Sequence, residues 1–179
     1  MSDNKQMINK KYLMFFSMIG TSMLLMYGLM YVNSYQIFDH ARFSETRLFM
    51  TLIMGGSMMI VMMAFMFDMY PNIKANIWIF IGAFLLILSS IWLVRSQSTV
   101  SDVDYMEAMI PHHSIAILTS ERSRIQDPRV QDLAEEIIEA QRREIKEMEW
   151  LITDIKKNGI PENEEEAGAR PVPSFSGTK

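Results

Sequence analysis

Cysteine is absent from the 179 residues, which removes disulfides and thiolate metal sites together. Histidine is scarce, with His40, His112 and His113 the complete set. Charge is missing from three long apolar runs in the first hundred residues, so those runs do not belong to one soluble core. No nucleophile stands beside a base, and no paired carboxylates have the Glu-x-x-His spacing of a di-iron bundle, so no catalysis is expected. Residues 1–100 carry seven Lys/Arg against four Asp/Glu, and residues 101–179 carry ten against seventeen, leaving halves near +3 and −7. An acidic second half without a basic stripe argues against nucleic acid as a partner. No internal repeat is visible.

Methionine is abundant instead: eighteen residues, several times an ordinary share. The first apolar run, residues 12–31, has about the roughly 20 residues needed to cross a bilayer as helix, and Lys5, Lys10 and Lys11 precede it. It is too long for a signal peptide and no small-x-small cleavage pattern follows, so it reads as a retained anchor. Residues 48–67 form a second run, the most Met-dense part of the chain, and residues 77–94 a third with Trp78 and Trp92 near its ends. Residues 1–11 are then a cytoplasmic N-terminus and 12–95 a three-helix transmembrane region. Lysines 5, 10, 11 and 74 fall on one side against Arg42, Arg47 and Arg95 on the other, which selects an N-in topology. The expected location is a bacterial plasma membrane, with the C-terminal domain periplasmic or extracellular.

Residues 96–101 read as a linker and residues 102–158 as a helical hairpin. Ser101 with Asp104 resembles a helix N-cap with an acid at the third helical position. Pro111 interrupts the first helix, and Asp127 followed by Pro128 starts the second. The second helix has an inward seam at Ala134, Ile138, Gln141, Ile145, Met148, Ile152 and Ile155, and stops at Asn158–Gly159. Residues 159–179 carry too little apolar surface to fold and are expected to be a disordered acidic tail. Apolar flanks at Ile115, Leu118, Val130, Leu133 and Ile137 want a partner. Two hairpins from two chains would make a four-helix bundle, so at least a dimer is expected.

The chemistry concentrates in residues 106–113, Met-Glu-Ala-Met-Ile-Pro-His-His. Residues three and four apart share a helix face, so Met106, Met109 and His113 stack, with His112 next to Met109. Folding the hairpin about residue 126 pairs positions whose numbers sum to about 252. That places His113 opposite residue 139, His112 opposite Ala140–Gln141, and Met106 near Met148. Met106, Met109, His112, His113 and Met148 then converge, with Gln141 and Glu144 near enough to hydrogen-bond an imidazole. Thioether and imidazole without thiolate suit Cu(I), and Ag(I) by the same softness. The plainer reading is that seam methionines are core filler. In the membrane, Met26, Met30, Met50, Met54, Met58 and Met62, with His40 on the first loop, form a possible metal path. The second-span methionines cover more than half of the helix circumference, so some of them only pack. Gly20, Gly28, Gly55 and Gly56 allow close helix approach.

The run Asp104 to His113, followed by Ala116, Asp127–Pro128–Arg129–Val130, Leu133–Ala134, Ile137, Ala140–Gln141, Glu144–Ile145, Met148 and Trp150–Leu151, resembles the bacterial family called domain of unknown function 305. The CopM-like copper-binding proteins belong to that family. The resemblance covers roughly residues 101–157 and leaves out the three spans. It implies a ferritin-like helical bundle that binds Cu(I) and Ag(I) outside the cytoplasm, with Met106, Met109, His112, His113 and Met148 as ligands. Thr119 stands where the family often has Met, and full-length relatives often carry two hairpins where this chain has one. The expectation is an all-α membrane protein: three transmembrane helices, then an extracytoplasmic hairpin completed to a four-helix bundle by oligomerisation. It would sequester copper or exchange it with a donor or acceptor protein. The rival readings are a Met-lined copper transporter and a structural or sensory membrane module without metal.

Overall fold

The computed structural model describes residues 2–32, 35–36 and 42–178. Among these residues the protein is all-helical, with no strand. Its helices are α1 Ser2–Leu29, α2 Glu45–Phe65, α3 Ile73–Ser96, α4 Asp102–Arg122, α5 Pro128–Asn158 and α6 Glu164–Ala169, and a 3-10 turn at Phe67–Met69 follows α2. The chain divides into two compact units, Met1–Met30 with Thr46–Thr99, and Tyr31–Glu45 with Val100–Lys179.

The first unit holds three helices long and apolar enough to cross a membrane, Gln6–Leu29, Glu45–Phe65 and Ile73–Ser96. In the most apolar window of each, only 11, 22 and 11% of the residues are buried inside the protein. The remaining apolar surface faces outward, including Leu24, Leu25, Phe65, Trp78 and Trp92, which suits hydrocarbon as solvent. Helices begin earlier than the apolar runs, because the polar lead-ins of α1 and α2 hydrogen-bond as helix too. Asn72 caps α3 by accepting from Ala75 N, and α3 stops at Gln97, which adopts a left-handed conformation (φ 51°).

Packing inside this unit depends on methionine and on the absence of side chains at two positions. Phe15, Ile19, Met63 and Tyr70 are buried together, surrounded by Tyr12, Met23, Met58, Met59, Met62, Met66, Ile79 and Phe80. A Cβ at Gly55 would run into the Met23 thioether, and one at Gly56 would stand 2.7 Å from Ile87 Cγ1 and 3.1 Å from the Ala83 carbonyl. Gly55 therefore seats α1 on α2, and Gly56 seats α3 on α2. The Tyr12 hydroxyl ties α1 to the start of α3 by donating to Asn76 Oδ1 at 2.7 Å.

The second unit is the hairpin of α4 and α5 with segments laid on it. Ser101 and Asp104 form a reciprocal capping box at the start of α4, and Asp127 caps α5 ahead of Pro128. The core is Met106, Ile110 and Ile117 of α4 against Ile145 and Ile152 of α5. Ile138, Met148, Leu151 and Ile155 border it, so the seam spacing of α5 does mark its inner face. Cross-hairpin ion pairs join Lys156 to Glu107 at 2.6 Å and Arg142 to Glu121. Tyr35 and Arg42, which precede α2, belong to this unit: Tyr35 N donates to Ser114 Oγ at 2.6 Å, and Arg42 faces Glu149 at 3.7 Å.

Two expectations change here. The pairs Glu107–Lys156 and Glu121–Arg142 lie well beyond the register expected from folding at residue 126, although Glu144 does reach the His113 imidazole. Helical side chains lean toward their own N-terminus, so a given spot is covered by a residue further along each helix, and long Arg, Lys and Glu side chains add reach. The tail also differs from the disordered segment that its composition implies. Asn163 caps α6, Arg170 pairs with Asp154 at 2.8 Å, Lys146 donates to the Ser176 carbonyl at 2.7 Å, and Gly177 lies buried where a side chain would meet the Glu139 backbone. The tail thus returns along α5, held by charged and backbone groups that a count of apolar surface does not register.

Candidate metal centre

Pro111 lies within α4, which runs unbroken from Asp102 to Arg122 around it. Proline has no N–H, so the hydrogen bond it would have donated to the Glu107 carbonyl is missing. Two residues later His113 is buried, at 9% exposure, and its Nδ1 stands 2.9 Å from the Met109 carbonyl. A carbonyl only accepts, so Nδ1 carries the hydrogen and Nε2 is the nitrogen left for another partner. That partner is Glu144 of α5, whose Oε2 is 2.8 Å away. A proton must lie between Nε2 and the carboxylate, so pairing with Glu144 and holding a metal at Nε2 exclude each other.

The candidate ligands separate into an inner and an outer group. Met106 is buried in the core cluster, and Met148 packs against the same cluster from α5. Met109 is half-buried and contributes the carbonyl that orients His113. His112 is exposed; its ring centroid lies 6.0 Å from that of His113, at an interplanar angle of 77°. The structure therefore brings Met106, Met148 and His113 to the hairpin interior and leaves His112 on its surface. Gln141 is half-buried, and Glu144 is the direct partner of His113. No group of three His, Asp or Glu side chains stands together among the described residues, so thioethers would have to complete a site.

Imidazole and thioether are the residue types that suit a soft monovalent ion. A metal-bound imidazole usually gives its other N–H to a carbonyl or carboxylate, and Met109 already supplies that contact to Nδ1. Thioethers such as those of Met106, Met109 and Met148 favour Cu(I) and Ag(I) over zinc or calcium, whereas the group in contact with Nε2 is the Glu144 carboxylate, a harder oxygen donor.

The methionines of the apolar helices occupy positions of differing exposure. Met58 and Met62 pack around buried Met63. Met50 and Met54 are exposed at 42 and 37%, Met26 is half-buried, and Met30 accepts a 3.6 Å hydrogen bond from Thr51 at its sulfur. His40 lies outside the described residues. Ser114 and the cross-hairpin ion pairs escaped sequence reasoning, because no spacing within one helix records a partner on another.

These features define an all-helical protein in which helices long and apolar enough to span a membrane precede a hairpin with Met and His in its interior. Residues 95–174 match the domain of unknown function DUF305. The chain is 34% identical over 110 residues to the uncharacterized protein L153 of Acanthamoeba polyphaga mimivirus, an alignment that covers 60% of this chain and 70% of that one. The chain belongs to the DUF305 family through this C-terminal part. The matched region starts before α4 and takes in α5 and α6, ending ahead of the Ser176 and Gly177 contacts of the tail. No solved structure matches the chain.

Proposed function

We propose that the hairpin unit binds Cu(I), with Ag(I) as its mimic, and that the three apolar helices hold it at the outer face of a bacterial plasma membrane. There it sequesters copper or exchanges it with a donor or acceptor protein, as its likeness to CopM-like proteins implies. The observation that supports this reading most is the orientation of His113. With Nδ1 committed to the Met109 carbonyl, Nε2 is turned toward α5, on the helix face that also carries Met106 and Met109. Met148 supplies a thioether from α5, and His112 is an exposed imidazole through which the ion arrives or leaves. Copper uptake requires Glu144 to release Nε2 and the proton between them.

The N-in orientation rests on the lysines at 10, 11 and 74. Lys11 donates to the Met69 carbonyl, which puts it at the same end of the unit as the turn before Lys74. Dimerisation into a four-helix bundle is supported by a slot of about 200 Å³ among Thr119, Ile125, Val130, Leu133, Ala134 and Ile137, where Val130 and Leu133 stay exposed.

Titration of Cu(I) against a competing chelator, with wild type and a His112/His113/Met109 triple alanine variant, tests the metal reading. Equal weak binding by both proteins would remove it. A second reading, Cu(I) conduction through the spans, draws on the five methionines packed against the cluster of Phe15, Ile19, Met63 and Tyr70. Copper flux into liposomes carrying the purified protein separates a conductor from a binder.

A further inference from the structure

Unit one contains a slot that the metal reading leaves without a role. It is lined by Lys11, Met14, Phe15 and Met18 from α1, by Met66 and Met69 around the 3-10 turn, and by Tyr70, with a volume of about 250 Å³. Its lining is apolar apart from the lysine and the tyrosine hydroxyl. Phe15 and Tyr70 are both buried and meet edge-on, with ring centroids 5.6 Å apart and planes at 76°, so they form a fixed wall. The four methionines supply the adjustable part. Met14, Met18 and Met69 are exposed at 64, 41 and 54%, so they border the space without filling it.

Any apolar helix surface in a bilayer touches lipid, and contact alone makes no site. This slot differs because a fixed cation stands at it. Lys11 Nζ donates to the Met69 carbonyl at 3.2 Å, which holds the ammonium beside the slot while leaving its other two hydrogens free. Lys10 precedes it and Lys74 opens α3 just past the turn, against one exposed acid there, Asp68. Burial raises the Tyr70 pKa above the usual 10.0, and the neighbouring Tyr12 acts in the same direction, so the phenol adds no negative charge. A net positive rim over an apolar slot complements an amphiphile with an anionic head.

We infer that this slot holds one anionic phospholipid, with its phosphate on Lys11 and part of an acyl chain against Met14, Met18, Met66 and Met69. The flexible thioether side chains then serve lipid recognition here: Met conforms to a mobile chain at little cost, where branched residues would fix one shape. The site is independent of the metal centre in the hairpin.

The test uses the full chain in mild detergent, with phosphatidylglycerol or phosphatidylcholine added in equal amounts and retained lipid counted by native mass spectrometry. Wild type should retain phosphatidylglycerol about fivefold better, the preference expected from one well-placed lysine. Lys11→Gln should bring the ratio to about one, Lys11→Arg should preserve it, and Lys10→Gln should leave it nearly unchanged. Met66→Trp, which fills the slot, should lower retention of both lipids. Equal retention of both lipids by wild type overturns the inference. So does a loss in Lys10→Gln as large as in Lys11→Gln, which would show a diffuse field and no site. Ag(I) uptake abolished by leucine at the four methionines, without lipid preference, would give the slot to a soft metal ion and overturn it as well.

Discussion

His113 Nε2 and Glu144 Oε2 stand 2.8 Å apart across the α4–α5 interface, while Nδ1 of the same ring is held 2.9 Å from the Met109 carbonyl. The two contacts use both ring nitrogens, so the imidazole has no lone pair to offer until Glu144 withdraws. On the proposed copper reading Glu144 competes with the ion for Nε2, so Glu144→Ala should tighten Cu(I) binding. Titration of Cu(I) against a competing chelator reads this directly; unchanged affinity would exclude Nε2 as the ligand atom. His113→Ala should weaken Cu(I) binding by at least the roughly 10–100-fold seen when support of a metal ligand is lost.

The hairpin core is small, and each buried aliphatic in it matters. Ile110 is fully buried and Ile145 and Ile152 nearly so, all in one cluster. Truncation of Ile110 or Ile145 to alanine should cost about 2–5 kcal/mol. Chemical denaturation of the full chain, followed by circular dichroism, should show the loss in the transition that melts α4 and α5.

Gly55 and Gly56 are neighbours in sequence but should respond differently to alanine. The obstacle at Gly55 is the flexible Met23 thioether, which can swing away, whereas Gly56 faces Ile87 and the Ala83 backbone carbonyl. Gly56→Ala should cost about 1–3 kcal/mol by overpacking and Gly55→Ala less. Thermal melts in one detergent rank the two; a larger loss at Gly55 would contradict this packing.

The start of α5 should be sensitive to acid. Asp127 accepts from Arg129 Nε and Nη2 at 3.0 and 2.6 Å and from Arg129 N at 2.9 Å, and these contacts lower its pKa below the usual 3.8. A lowered folded-state pKa contributes stability that is present above about pH 3.8 and lost as pH falls through the lowered value. Melting of the hairpin between pH 6 and pH 2 should show that acid loss in wild type and a smaller one in Asp127→Asn, which keeps a capping oxygen without the titration.

Sequence alone determined the features that repeat along one helix or depend on composition. Three uncharged runs of bilayer length mark three helices long and apolar enough to cross a membrane, where backbone groups must bond within the segment. The Ser101–Asp104 capping box, the Asp127–Pro128 start and the α5 seam through Ile145 and Ile152 are local, and the structure places each as read. The stacking of Met106, Met109 and His113 likewise follows from helical periodicity. Tertiary structure decided what faces what. It chose Glu144 over Gln141 as the partner of His113, left His112 outside, paired Glu107 with Lys156 and Glu121 with Arg142, and returned the tail along α5 through Arg170–Asp154 and Lys146–Ser176. The physical reason is that these are single directional contacts between distant segments. Each depends on side-chain lean, reach and the position of one carbonyl or carboxylate, which neither periodicity nor composition encodes.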